Sequence, residues 1–172
     1  MDLSGRCLFP HRKGRIERKE TVDLKNYTGT YTPSFPISAR PMGEIAGYPV
    51  RPGYFEDFGA TLLPVGVNFT VHTHHGTSCE LLLFNKGEEE PYAVLPFPAS
   101  YKIGDVYSMI VFGLNIEEFE YAYRVDGPSN PREGLLFDRK KILLDPYARA
   151  VVGKHAWGEK LEGNYRARVV KD

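Results

Sequence analysis

The stretch FEYAYRVD at 119–126 leaves the chain little choice of local structure. Phe119, Tyr121, Tyr123 and Val125 take every second place, between Glu120, Ala122, Arg124 and Asp126. A period of two is the mark of a strand with one face in a core, here with aromatics inward and charges outward. Gly127-Pro128 and Asn130-Pro131 end it, because proline has no backbone donor to extend a ladder. A turn-rich bridge from Ser129 to Gly134 then leads into LLFDRKKILLDPYA at 135–148, where Ile142 to Leu144 reads as a second strand stopped by Asp145-Pro146. The whole run from Tyr121 to Ala148 therefore predicts a strand pair with polar punctuation.

The same grammar recurs upstream. VGVNFTVHT at 65–73 alternates Val65, Val67, Phe69 and Val71 with Gly66, Asn68, Thr70 and His72, which predicts one face in the core and one toward water. CELLLF at 79–84 is apolar on both faces and reads as an interior strand, and VYSMIVFG at 106–113 as another. Asn85 to Pro91, with Gly87 and three glutamates, is a hairpin-type turn, and Tyr92 to Phe97 its return strand. Five or six strands thus arrive about every ten residues, the spacing of an all-β, immunoglobulin-like sandwich. Aromatic residues at 13% of the chain, with 11 Tyr and 10 Phe against one Trp, suit that class, and no long helical period interrupts it. At 172 residues the chain holds one domain with a full core. The reading places that domain at 47–150, an irregular extension at 1–46 and a linker at 151–172. The end just after Val169-Val170, without turn or cap, reads as an interruption.

Several function classes are excluded on composition. Lys plus Arg and Asp plus Glu each number 22, so no net field draws the chain to nucleic acid or to an anionic membrane. Two cysteines, Cys7 and Cys79, are too few for a disulfide framework and suit a reducing compartment, and with no signal-peptide core the expected home is the cytoplasm. His72, His74 and His75 have the residue type of a zinc site but only Cys79 nearby as a further ligand, so no metal is assigned. Asp126, Asp138 and Asp145 are the carboxylates that a hydrolase reading would need, and each sits where a side-chain oxygen can bond backbone donors of a turn. No nucleophile elbow, phosphate loop or dinucleotide fingerprint is present, so no catalytic residue and no cofactor is assigned. Tyr107 and Trp157 are the aromatics named as candidates for stacking on a sugar ring.

As a set, GVNF at 66–69, ELLLF at 80–84, GDVY at 104–107, YAYRVDGP at 121–128 and KILLDPYA at 141–148 resemble a known module. It is the family 48 carbohydrate-binding domain found at the amino terminus of isoamylase-type glycogen debranching enzymes of the α-amylase superfamily. The resemblance covers about 47–150 and implies an immunoglobulin-like sandwich placed before a (β/α)₈ barrel, whose carboxylates hydrolyse α-1,6 branches in glycogen or limit dextrin. A barrel takes about 250 residues, so those carboxylates lie outside this chain. The chain departs from the family in having Tyr107-Ser108 where a Trp-His pair is common, and Trp157 as its sole tryptophan. The resemblance implies a non-catalytic module with two partners, the catalytic barrel and α-glucan. An independent glycogen- or starch-binding module and a protein-interaction sandwich are the alternatives.

Overall fold

The computed structural model describes residues 40–153 and 165–171, and within them the chain is an all-β sandwich. The first sheet contains β1 (Gly43–Ile45), β2 (Tyr48–Pro52), β3 (Gly59–Leu63), β4 (Gly66–His72), β7 (Lys102–Ile103) and β8 (Val106–Phe112). Its order is β1-β2-β8-β4-β3, with β7 also on β8. The second contains β5 (Ser78–Asn85), β6 (Ala93–Pro96), β9 (Phe119–Asp126), β12 (Ala150–Gly153) and β13 (Tyr165–Arg168), in the order β12-β13-β9-β5-β6. A small hairpin of β10 (Ser129–Asn130) and β11 (Leu135–Leu136) stands apart from both. All pairings are antiparallel.

The period-two pattern decides what lies between the sheets. Val67, Phe69 and Val71 of β4 and Tyr107, Met109 and Val111 of β8 face Cys79, Leu81 and Leu83 of β5 and Phe119, Tyr121, Tyr123 and Val125 of β9. Rings cross the gap: Phe69 meets Tyr121 edge-on at 5.2 Å between centroids, and Phe97 meets Tyr107 at 5.8 Å. Ala46 and Gly47, at φ 51° and 82°, form the two-residue turn between β1 and β2, a backbone that favours residues tolerant of positive φ.

The structure differs from expectation in four places. The outer face of β4 does not meet water, because Asn68 and Thr70 lie fully buried beneath the loop after β2. The outer face of β9 is likewise covered: Ala122 packs with Leu82 and Phe84, and Ile142 lies against them. The stretch Ile142 to Leu144 makes a single bridge to β9, at Tyr123 and Leu143, and is not a full strand. The reason is that β13 claims the same edge of β9 one pair away, where Ala167 faces Tyr121. The boundaries at 47 and 150 also move. Gly43–Ile45 already pairs into the first sheet, and the segment assigned to a linker supplies β12 and β13, with Ala167 and Val169 in the core.

Candidate functional site

Tyr107 does not offer a face to a sugar. The register of β8 turns Tyr107 inward with Met109 and Val111, leaving it 2% exposed, edge-on to Phe97 and with the Lys102 ammonium 5.0 Å from its centroid. Because β8 is apolar on both faces, its pattern does not tell which face is the core. Trp157 lies outside the described residues. The thiol of Cys79 is buried among core side chains, and burial followed by the neighbouring Glu80 charge pushes it up to about 12. His74 Nδ1 sits 3.0 Å from Asp105 Oδ2, a contact that holds Asp105 below the usual carboxylate range. Among the described residues no three His, Cys, Asp or Glu side chains converge as a metal cage.

The three aspartates act as their sequence positions imply. Asp126 Oδ1 accepts from Gly127 N at 2.9 Å, Asp138 Oδ1 from Lys140 N at 2.9 Å and Asp145 Oδ1 from Tyr147 N at 2.8 Å. Asp145 goes further. It is 1% exposed, and its Oδ2 accepts from the Tyr121 hydroxyl at 2.7 Å in the core. Desolvation lifts its carboxyl above the usual range, and the bonds from Tyr121 and Tyr147 pull it part of the way back. Glu80 binds the facing Arg124 Nε at 2.7 Å across β5 and β9.

Two anchors place an exposed stacked pair of rings, Phe58 and Tyr147. The turn Asp145-Pro146-Tyr147 is fixed to the core by Asp145. The loop from Gly53 to Phe58 is fixed to the first sheet by a buried polar set: Asn68 Oδ1 accepts from Tyr54 N at 2.9 Å, and Tyr54 O accepts from Asn68 Nδ2 at 3.1 Å and Thr70 Oγ1 at 2.8 Å. Gly59 joins the anchors, because its φ is +89° and a Cβ there would stand 2.9 Å from Tyr147 O. The outcome is Phe58 and Tyr147 stacked at 4.9 Å between centroids and 22° between planes, 40% and 49% exposed. Tyr54 and Phe55 on the same loop are 53% and 42% exposed. The pair was not singled out in the sequence. Its signal was the aromatic run Tyr54, Phe55 and Phe58 between Gly53 and Gly59, together with two polar residues, Asn68 and Thr70, that need partners once covered.

Gly59→Ala tests the anchoring. An alanine there meets both positive φ and a carbonyl oxygen, so thermal unfolding should show a loss of about 1–2 kcal/mol. The near-ultraviolet tyrosine signal should fall with it as Tyr147 is displaced. A variant as stable as the native chain would mean that the turn is not seated on Gly59.

A flat, rigid aromatic surface at the rim of a sandwich can be covered by another protein surface or can take the apolar face of a sugar ring. Comparison with known proteins bears on that choice. The model of carbohydrate-binding module 48, the isoamylase N-terminal domain, matches residues 57–148. A glycogen debranching enzyme of Serratia proteamaculans is 37% identical over 116 residues, covering 67% of this chain and 17% of its own length. Another, from Cronobacter sakazakii, is 42% identical over 109 residues, covering 63% of this chain and 15% of its own. The chloroplastic isoamylase SU1 of Zea mays is 33% identical over 109 residues, covering 61% and 14%. The chain thus spans less than a fifth of the length of these curated relatives. A solved pullulanase of Group B Streptococcus in complex with maltotetraose aligns over 69% of this chain and 15% of its own at 19% identity, with a TM-score of 0.49, too remote to bear on function. With the matched span covering more than half of the sequence and ending on the Asp145-to-Ala148 turn, the chain belongs to the carbohydrate-binding module 48 (isoamylase N-terminal domain) family.

Proposed function

We propose that this chain is the non-catalytic amino-terminal module of an enzyme that hydrolyses α-1,6 branches in α-glucan, and that it packs beside the catalytic barrel and helps shape the glucan cleft. The observation that carries this reading is the family match at 57–148 together with relatives that are several times longer than this chain. The carboxylates in the described region support it, since Asp126, Asp138 and Asp145 are occupied in holding turns. Apolar surface for a neighbouring domain is at hand. A groove of about 430 Å³ is floored by Val125 and Phe137 and walled by Leu136 and Leu143, which are 73% and 42% exposed. Exposed apolar area of this kind is the usual mark of an interface between domains.

The test is made in a polypeptide that joins this module to its catalytic barrel. Deleting residues 1–172, so that β12 and β13 leave together with the sandwich they complete, is expected to lower kcat/KM on branched glucan at least about tenfold, the equivalent of ~1.4 kcal/mol of transition-state stabilisation. Full activity after the deletion would overturn the reading. A second reading, an independent glycan-binding module, is favoured by the exposed Phe58 and Tyr147 rings.

A further inference from the structure

We propose that the side of the sandwich between the free edges of β3 and β12, with the Phe58–Tyr147 ring pair at its centre, is the surface on which the catalytic barrel of the parent polypeptide docks. The choice of partner rests on the module reading above; the surface itself rests on geometry. Among the described residues β3 pairs only with β4 and β12 only with β13, so each ends its sheet. The Asp145-to-Ala148 turn joins the two edges: Tyr147 O stands against Gly59, the first residue of β3, and the chain enters β12 at Ala150. Val151 makes this side apolar on the second sheet. It lies opposite Ala167, which is in the core, and residues paired across a ladder share a face. Val151 therefore points to the inner face, yet it is 48% exposed, so the first sheet leaves the β12 edge open.

Such a side fits another protein surface. An open strand edge presents a row of unpaired backbone donors and acceptors, which native folds pair or cover. Tyr54, Phe55, Phe58 and Tyr147 are between 40% and 53% exposed, and Glu56 and Asp57 are exposed beside them, which is the make-up of a protein interface: aromatics within, charges at the rim. The polar side chains beneath, Asn68, Thr70 and Asp145, are spent on holding the two loops. The attachment of the barrel favours the same side. The matching model is that of an amino-terminal domain, and the curated relatives carry more than four fifths of their length outside the aligned region, so under the module reading the barrel is joined after β13. Val170, 38% exposed, follows β13, and β13 is the ladder neighbour of β12. A domain tethered there is held at high effective concentration beside the β12 edge. The rings are already stacked on one another, so docking gives up little of their freedom. Leu143, four residues before Tyr147, carries the surface on to the groove walled by Leu136.

The experiment compares amide hydrogen exchange in the 172-residue chain with exchange in a polypeptide that joins it to its catalytic barrel. Peptides spanning 54–60 and 145–151 are expected to exchange at least about tenfold more slowly in the joined polypeptide, and a peptide spanning 99–106 at the same rate in both. Val151→Asp, at an exposed site on an edge strand, should leave the shorter chain folded and remove that protection from the joined one, while Ile103→Asp should leave the protection in place. Protection confined to the groove at 134–138, or to any other part of the module, would overturn the proposal and leave the module reading intact, since the barrel would still pack on this chain. Protection nowhere would overturn both. Equal exchange at 54–60 in the two polypeptides, together with retention of the shorter chain on a glycogen gel that Phe58→Ala abolishes, would make the rings a sugar surface and overturn the proposal.

Discussion

Phe69→Ala is expected to remove about 3–5 kcal/mol from the folding stability of this chain, read as a drop in the urea midpoint at unchanged slope. Phe69 is fully buried in β4, between β8 and β3 of the first sheet, with Ala60 and Met109 as its cross-strand neighbours. Its ring spans the gap to the second sheet, 5.2 Å from Tyr121 and 6.4 Å from Phe119 between centroids. Truncation removes the transfer energy of the ring and its contacts with these two rings, edge-on to Tyr121 and tilted to Phe119, worth about 0.5–1.5 kcal/mol a pair. The site cannot collapse to recover them. Both flanking strands are pinned by their ladders, and the methyl group of Ala60 is too small to fill the space. Ile103→Ala, at a position 56% exposed, should cost less than about 0.5 kcal/mol in the same assay. If the two variants lost equal stability, the two sheets would not share the core described above.

How much of this was legible follows from what alternation can encode. The strands at 66–72, 78–85, 93–96, 106–112 and 119–126 fall where the period-two runs place them, within two residues at each end. Inward residues of β4 and β9 were legible for the same reason, since one face of each carried polar side chains. In β8 both faces are largely apolar, so the pattern does not tell that Tyr107, a candidate for sugar stacking by residue type, is turned inside by the register. The short strands β1 to β3 were obscured by glycine and proline, which mark turns by propensity but in Tyr48–Pro52 lie within a strand. The strand at 165–168 carries three polar or charged residues in four and has no alternation of its own; it is recruited by an open edge of β9, a non-local cause that a local pattern does not record.

The exposed ring pair was hidden for a related reason. Neither Phe58 nor Tyr147 belongs to a periodic element, and they stand 89 positions apart in the sequence. What brings them together is polar. Asn68 and Thr70 hold one loop, Asp145 holds the other, and each of these looked like solvent-facing punctuation before its partner was known. In this fold the residues that break the apolar pattern are those that locate the surface.

Tyr121→Phe should separate the two jobs of that polar core and should cost about 2–3 kcal/mol near neutral pH, the range for a buried hydrogen bond to a charged group. The hydroxyl donates to Asp145 Oδ2 at 2.7 Å, and burial followed by the Asp145 charge pushes its own ionisation far above the ordinary range, so it acts as a neutral donor throughout. The sign of the pH dependence follows from Asp145. Its folded pKa is raised above the unfolded value, so the folded chain holds that proton more tightly. Stability from this group is then greatest below the unfolded carboxylate pKa and is lost as pH rises through the raised folded value. Removing the Tyr121 hydroxyl takes away a bond that favours the charged form, raises the Asp145 pKa further and deepens the loss on the alkaline side. The difference between native and variant chains, measured by urea unfolding, should therefore shrink toward about 1 kcal/mol as the pH falls and the carboxyl takes up its proton in both. Tyr123→Phe should show no such pH-dependent difference, because no hydrogen-bond partner of the Tyr123 hydroxyl is present among the described residues. A Tyr121→Phe cost independent of pH would mean that Asp145 carries no charge in the folded core.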